Sequence, residues 1–454
     1  MLTYTAYVRR VVLALAIVAM FAMRAHADEI KEIVVEDNKK TTSDTVQLIA
    51  HIDVGDDWTP EMSEVVKTRL VSSGLFKDVE VFWDPVPGGV RVHILVKDKH
   101  SWVIAPAYYN QPTNRAIGVG FGENNLFGLN QKLLLYGQVA FPGDSFFVGA
   151  WQIPAIYGSH FYVDFDTYDK HSRNIEYANP TAYLQSPNAI RYSYMDYYNA
   201  GVRLGIEPFR GVRFDTRLRG ARVSYSNVRL DTEDNPDVTN ADVGVPDGAP
   251  VPAPGMEGWD VSQEFSFTID RRANWYGVQS GPRYHVAFEH TVQALGSDFH
   301  YWELNFELFQ AWQILERHNL VLKGQINIGH HMPFQQEFQT GGTSMRGWLN
   351  DQFRGDTRVL ANAEYSMPLF TLMGLSVRPL LFWDSAYTTV TSPSPERNYL
   401  PNAQVRGLDG FRNSVGVGTR LYLRQIVLPL LGLDVGYGLE SGDVHVYLAI
   451  GLTD

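Results

Sequence analysis

At 454 residues the chain is longer than one ordinary soluble domain, and with 19% charged and 13% aromatic residues it is poorer in charge than a typical globular protein. Cysteine is absent, which excludes a disulfide framework, a thiolate nucleophile and a cysteine metal cage. The net charge of -12 argues against a nucleic-acid partner, because phosphate binding needs clustered Lys and Arg.

The N-terminus reads as a secretory signal. Tyr7 to Arg10 (YVRR) is a basic n-region, Val11 to Met23 is an apolar h-region, and Ala25-His26-Ala27 is a small-x-small cleavage site followed by Asp28-Glu29. Residues 1–27 are therefore expected to be removed. No later run of about 18 apolar residues is present, so an exported chain of this kind is either soluble or a transmembrane barrel.

Residues 28–100 predict a small β-α-α-β-β domain. IKEIVVED alternates like a strand, and SDTVQLIAHI carries apolar residues at helical spacing behind Ser43 as the expected cap. The second helix is framed by Thr59 as cap, Pro60 in the first position and Gly74 after the last turn, with Met62, Val65, Val66, Arg69 and Leu70 along its stripe. VEVFW and VRVHILV then form two strands joined by PVPGG.

From residue 101 to 454 the pattern becomes period-two alternation. In YWELNFELFQ, Trp302, Leu304, Phe306 and Leu308 share one face, with Glu303, Asn305 and Glu307 on the other. In RFDTRLR, Phe214, Thr216 and Leu218 alternate with Arg213, Asp215, Arg217 and Arg219. Sixteen strands are expected between residues 102 and 453, with connections that alternate between short turns such as EPFRG and TLMGL and long segments near 173–191, 230–258, 330–356 and 389–410. Short periplasmic turns opposite long external loops, in an even-stranded wall, predict an outer-membrane barrel. The acidic, Pro- and Gly-rich segment Asp231 to Gly258 is expected to be a mobile external loop.

One long connection carries a chemical signal. Gly341 to Trp348 (GGTSMRGW) places Arg346 between glycines and an aromatic, followed by Gly347 and Trp348. Glu364 lies on the polar face of the predicted twelfth strand, and Phe382 and Asp384 share one face of the thirteenth. A guanidinium offers a planar fork of donors that suits carboxylates, so Arg346 held by Glu364 and Asp384 would pin the loop inside the lumen.

These motifs carry a resemblance. GLFKDVEVFWD in the first domain resembles a polypeptide-transport-associated (POTRA) domain, and the barrel resembles the BamA/TamA-type outer-membrane assembly and translocation superfamily, the bacterial surface antigen family. That family's sixth external loop has a V-R-G-F/Y motif, matched by Met345-Arg346-Gly347-Trp348, and its arginine contacts an F-x-D-x-G motif and a glutamate, matched by Phe382, Asp384 and Glu364. Ala386 and Met345 depart from the family's glycine and valine, and only one POTRA-like unit is readable. Gly122 to Leu133 and Asp270 to Gly281 resemble family periplasmic turns.

The resemblance implies a mainly β protein with a 16-stranded antiparallel transmembrane β-barrel, in the outer membrane of a Gram-negative-type bacterium, with its first domain in the periplasm. It implies assembly, insertion or translocation of client proteins through a lateral seam between the first and last strands. The expected partners are outer-membrane lipids, an unfolded barrel or secreted client, and a periplasmic or lipoprotein partner on the POTRA-like domain. The alternative is a passive channel, since charged lumen faces are ordinary in barrels. No cofactor, metal or catalytic residue is expected: G-x-S-x-G, H-E-x-x-H and P-loop patterns are absent. His330-His331 reads as two strand-end histidines whose side chains point apart.

Overall fold

The computed structural model describes residues 28–154, 156, 159–178, 188–209, 211–275, 277–372, 375–401, 410–423 and 429–450. The expected signal peptide, 1–27, lies outside them. The chain divides into two compact units, one of residues up to 102 together with 123–131, the other of 103–122 and 132–454.

The first unit has four strands, β1 (Asp28–Glu36), β2 (Asp57–Trp58), β3 (Phe76–Val86) and β4 (Gly89–Asp98), in the order β2-β1-β4-β3. β1 runs parallel to β4, while β3 forms a hairpin with it. Helices α1 (Ser43–Ala50) and α2 (Met62–Ser72) supply Val46, Ala50, Val66 and Leu70 to a core with Ile30, Trp58, Val92 and Ile94. Two details depart from the sequence reading. Thr42, not Ser43, caps α1 by accepting from the Thr45 N–H at 3.2 Å, and α2 begins at Met62, two residues beyond Pro60. The two-residue strand β2, too short to show periodicity, also falls between the helices.

The segment 123–131 folds as part of this unit. Asn125 donates to Thr41 Oγ1 at 2.8 Å, Lys40 Nζ sits 2.9 Å from Glu123, and the Thr42 N–H bonds to the Gly128 carbonyl. A Cβ at Gly128 (φ +73°) would lie 2.0 Å from the Lys40 carbonyl oxygen, so only glycine fits this turn. Asp98 gathers the chain from the other side. Burial works against its ionisation, yet hydrogen bonds from Lys40, Thr41 and Lys39 hold its carboxyl below the usual carboxylate range.

The second unit is a closed antiparallel barrel. Its sixteen strands are β5 (Trp102–Gln111), β6 (Asn114–Leu126), β7 (Gln131–Phe141), β8 (Ser145–Ile153), β9 (Phe161–Tyr177), β10 (Ala189–Phe209), β11 (Val212–Leu230), β12 (Gly258–Asp270), β13 (Val278–Thr291), β14 (Trp302–Gln313), β15 (Asn319–His330), β16 (Thr357–Ser366), β17 (Leu375–Thr389), β18 (Arg412–Leu423), β19 (Pro429–Gly438) and β20 (Val444–Ile450). Short rungs at Ala273–Trp275 and Phe370–Leu372 extend the wall. No helix among the described residues is long and apolar enough to cross a membrane.

Alternation sorts the two faces. Leu218, Phe306, Leu308, Ile326, Val417 and Val446 stand exposed on the outside, whereas Arg219, Glu303, Asn327 and Asp384 are buried within. An exposed apolar band around a buried polar interior is the arrangement lipid requires. β9, β10 and β11 run to 17, 21 and 19 residues, well beyond the roughly 9–11 a bilayer needs, so both ends of the loop expected near 173–191 are continued strand. The wall closes where β20 meets β5, and there the described residues form three registered pairs, Leu448 with Asn110, Ala449 with Tyr109 and Ile450 with Tyr108.

The acidic segment after β11 is ordered rather than mobile. Its 3₁₀ turn Asn240–Val243 has a capping box between Thr239 and Asp242, and Val238 and Val243 are buried against Ile190 and Leu400. Composition alone does not reveal apolar partners so distant in the chain. The histidine pair also differs from the reading. His331 adopts φ +54° just past β15, which turns its ring onto that of His330 at 3.9 Å instead of away from it.

Introducing a charge on the outer face tests the lipid assignment. Val417→Arg should destabilise the barrel by about 2–4 kcal/mol in reversible unfolding from vesicles. An unchanged unfolding midpoint would place Val417 away from lipid.

Candidate functional site

The sixth external connection, residues 331–356, leaves β15 and returns into the barrel before β16. Its base is a small hairpin in which Phe338–Thr340 pairs with Phe353–Gly355. Between these rungs, Gly341 (φ +123°), Gly342 (φ +61°) and Gly347 (φ +95°) make turns that L-residues with side chains resist. At Gly347 the need is steric as well, since a Cβ would sit 2.8 Å from the Gly438 nitrogen in β19.

This path delivers Arg346 to the barrel wall. Its Nε and Nη2 donate to the two carboxylate oxygens of Asp384 at 2.9 and 2.8 Å, and its backbone N–H adds a third bond at 3.0 Å. Nη1 pairs with Glu364 at 2.8 Å and lies 3.5 Å from Asp434. The guanidinium carbon stands 3.6 Å above the centre of the Phe382 ring. Arg346 is 5% exposed and the Asp384 side chain 0%, so the bidentate pair is removed from water. Burial disfavours the cation, but the hydrogen bonds to Asp384 and the charges of Glu364, Asp384 and Asp434 raise its pKa above the ordinary guanidinium value. The structure thus brings Arg346, Glu364, Phe382 and Asp384 into one cluster spanning loop, β16 and β17.

Gly347 and Trp348 fasten the same turn elsewhere. Tyr447 of β20 accepts from the Gly347 N–H at 3.0 Å and donates to the Trp348 carbonyl at 2.7 Å. Trp348 is buried with Met345, Phe353, Leu360 and Ala386. The two departures from the family motif, Met345 and Ala386, thus fall in one buried cluster. Asn350 donates to Gln111 at the end of β5. One turn consequently bonds both strands of the closing seam.

Several residues of this cluster escape a motif search. Asn362 bridges Asp384 and the Ser344 carbonyl at 2.9 and 3.0 Å, and Arg420 forms a bidentate pair with Asp434 at 2.7 and 2.8 Å. Strand parity puts Tyr447, Arg420 and Asp434 on the lumen face, but nothing local indicates their partners.

A second buried network lies among the external loops. Arg397 pairs with Glu176 at 2.5 Å and Glu337 at 2.8 Å, while Arg191 pairs with Glu176 at 2.5 Å. The guanidinium groups of Arg354 and Arg397 lie 3.9 and 4.8 Å from the centre of the Phe334 ring. Arg397 also donates to the Pro254 carbonyl of the acidic loop at 2.8 Å. The connections after β11, β15 and β17 are thereby joined to one another. A third cluster in the wall pairs Arg219 with Glu289 at 2.6 Å and with the Tyr301 hydroxyl at 2.8 Å.

Comparison with known proteins follows this geometry. A model described as the Omp85 superfamily domain matches residues 125–437. No curated protein matches the chain. Among solved structures, BamA from Haemophilus ducreyi lacking POTRA domains 1-3 is similar with a TM-score of 0.63 and 15% identity, over 94% of this chain and 84% of that one. CdiB from Acinetobacter baumannii gives 0.62 and 13%, over 94% and 74%. CdiB from Escherichia coli gives 0.53 and 12%, over 95% and 91%. At these identities the likeness is one of fold.

The energetic weight of the Arg346 cluster is measurable. Removing either partner of a buried pair leaves an uncompensated charge at a cost of about 3–5 kcal/mol. Arg346→Met or Asp384→Leu should each speed chymotryptic cleavage within 331–356 by about a hundredfold or more, and the double variant should fall short of the product of the two. Strictly multiplicative effects would mean that the two side chains act independently.

Proposed function

The chain belongs to the Omp85 superfamily of outer-membrane assembly and translocation barrels, with its POTRA-like domain in the periplasm, and from that membership we propose that it passes client polypeptides through a lateral opening between β5 and β20. The observation that carries this reading is that one loop turn bonds both strands of the closing seam: the Gly347 N–H and the Trp348 carbonyl bond Tyr447 of β20, and Asn350 bonds Gln111 of β5. Separating those strands would expose N–H and C=O groups on which a client strand can pair.

In this reading the Arg346 turn is a latch. Arg346 anchors it to β16 and β17 through Glu364, Phe382 and Asp384, and Gly347 and Trp348 hold β20 through Tyr447. Asn350 reaches Gln111 of β5, so the latch touches both sides of the proposed opening. Losing the Arg346 pair would free the turn from both seam strands together. The edge strand β3 of the first domain, which among the described residues pairs only with β4, offers an extended client or periplasmic partner a second pairing site. A passive channel draws no comparable support, because the latch turn occupies the lumen with Met345 and Trp348 buried in its wall.

The absence of cysteine makes the test direct. Ala449→Cys with Tyr109→Cys joins registered partners, and oxidation should abolish assembly or export of the clients lost on depletion, with recovery on reduction. Undiminished client delivery with the disulfide formed would sink the lateral route.

A further inference from the structure

A cavity of about 350 Å³ lies in the lumen below the Arg346 turn, bordered by strands on both sides of the seam. Its volume falls in the range of small-ligand sites. Four cations, Lys323, Arg346, Arg378 and Arg420, and two carboxylates, Glu364 and Asp434, line it. Two of these cations are satisfied by geometry already described, Arg346 by its acids and Arg420 by Asp434.

Arg378 is not. It stands directly across from Arg420 in the β17–β18 register, so two guanidinium groups share one face of adjacent strands. Like charges directly opposed destabilise a sheet unless something neutralises them. Asp434 serves Arg420 with both of its oxygens. Arg378 is 2% exposed, and among the described residues its Nη2 donates to the neutral Arg317 carbonyl at 2.8 Å and Ser366 Oγ at 3.0 Å. Among the described residues its Nε has no partner and no carboxylate lies within ion-pair distance. Lys323, exposed on the lumen face of β15, likewise has no ion pair within 4 Å among them. A buried cation without a counter-charge is costly, and a planar fork of donors beside a cavity suits a carboxylate or phosphate group.

We propose that this cavity binds an oxyanion, a carboxylate or phosphate group, docked on Arg378, with Lys323 as a second cation of the lining that holds no ion pair within 4 Å among the described residues. The site is independent of the lateral opening, because it requires only the closed barrel. Two sources of the same chemistry are distinguishable: a free inorganic anion, or a carboxylate carried on a polypeptide.

The test is titration of the full-length protein in detergent, in chloride-free buffer, with inorganic phosphate and with an acetylated tripeptide as its free acid and as its C-terminal amide. Saturable binding of phosphate or of the free acid, with none of the amide, is expected. Arg378→Gln should weaken it by about tenfold or more, as loss of charged hydrogen bonds does. Saturable binding of phosphate alone assigns the site to a free anion, and binding of the free acid assigns it to a peptide carboxylate. Lys323→Gln, at an exposed lumen position, provides a second reading if Arg378→Gln fails to fold, and should weaken binding several-fold. No saturable binding to the unaltered protein, or affinity left unchanged by Lys323→Gln and Arg378→Gln, overturns the proposal.

Discussion

Much of this molecule follows from one arrangement: an arginine on a loop, clasped by carboxylates from two neighbouring strands. A barrel in lipid must present apolar side chains outward and satisfy its backbone within the wall. Its polar side chains are therefore driven inward, where water is scarce and each charge needs a partner. Arg346 meets that need with a bidentate bond to Asp384, a pair with Glu364 and the face of Phe382. The loop that carries it is thereby held in the lumen. Its turn also reaches Tyr447 on the last strand and Gln111 on the first.

The same logic recurs along the barrel interior. Arg219 with Glu289, and Arg397 with Glu176 and Glu337, are likewise buried and joined by short hydrogen bonds. Ion pairs of this kind contribute little net stability compared with apolar packing, yet breaking one is costly. They specify where loops rest more than they strengthen the wall. The external network joins three loops, while the Arg346 cluster joins one loop to the wall. Arg378 differs from these, because among the described residues it bonds carbonyl and hydroxyl oxygens and no carboxylate.

The barrel was legible in the sequence because lipid imposes a strict period of two. Phe214 and Leu218, or Phe306 and Leu308, fall outward by parity alone, and loop lengths alternate because the two ends of the barrel face different compartments. Parity also brought Glu364 and Asp384 to the lumen side, which made their approach to a loop arginine readable once the glycines marked a tight turn. Long-range pairings were not readable. Arg397 meets Glu176 across 221 residues, and Val238 is buried in one cluster with Leu400 far along the chain, so the acidic loop looked mobile although its apolar residues are buried. Local backbone geometry was hidden too. The left-handed φ of His331 reversed the expected direction of its ring, and Thr42 capped a helix whose sequence offered Ser43 equally well.

The central claim is that the Arg346 turn stays docked in the lumen because Asp384 holds it there. Met345 is fully buried in that turn, and the chain contains no cysteine, so Met345→Cys supplies a single reporter. Its modification by a membrane-impermeant maleimide, followed in lipid vesicles, tests the claim most directly. The account predicts slow labelling with Asp384 intact and rapid labelling when Asp384→Leu is added. Rapid labelling with Asp384 intact, or labelling indifferent to that change, would contradict it.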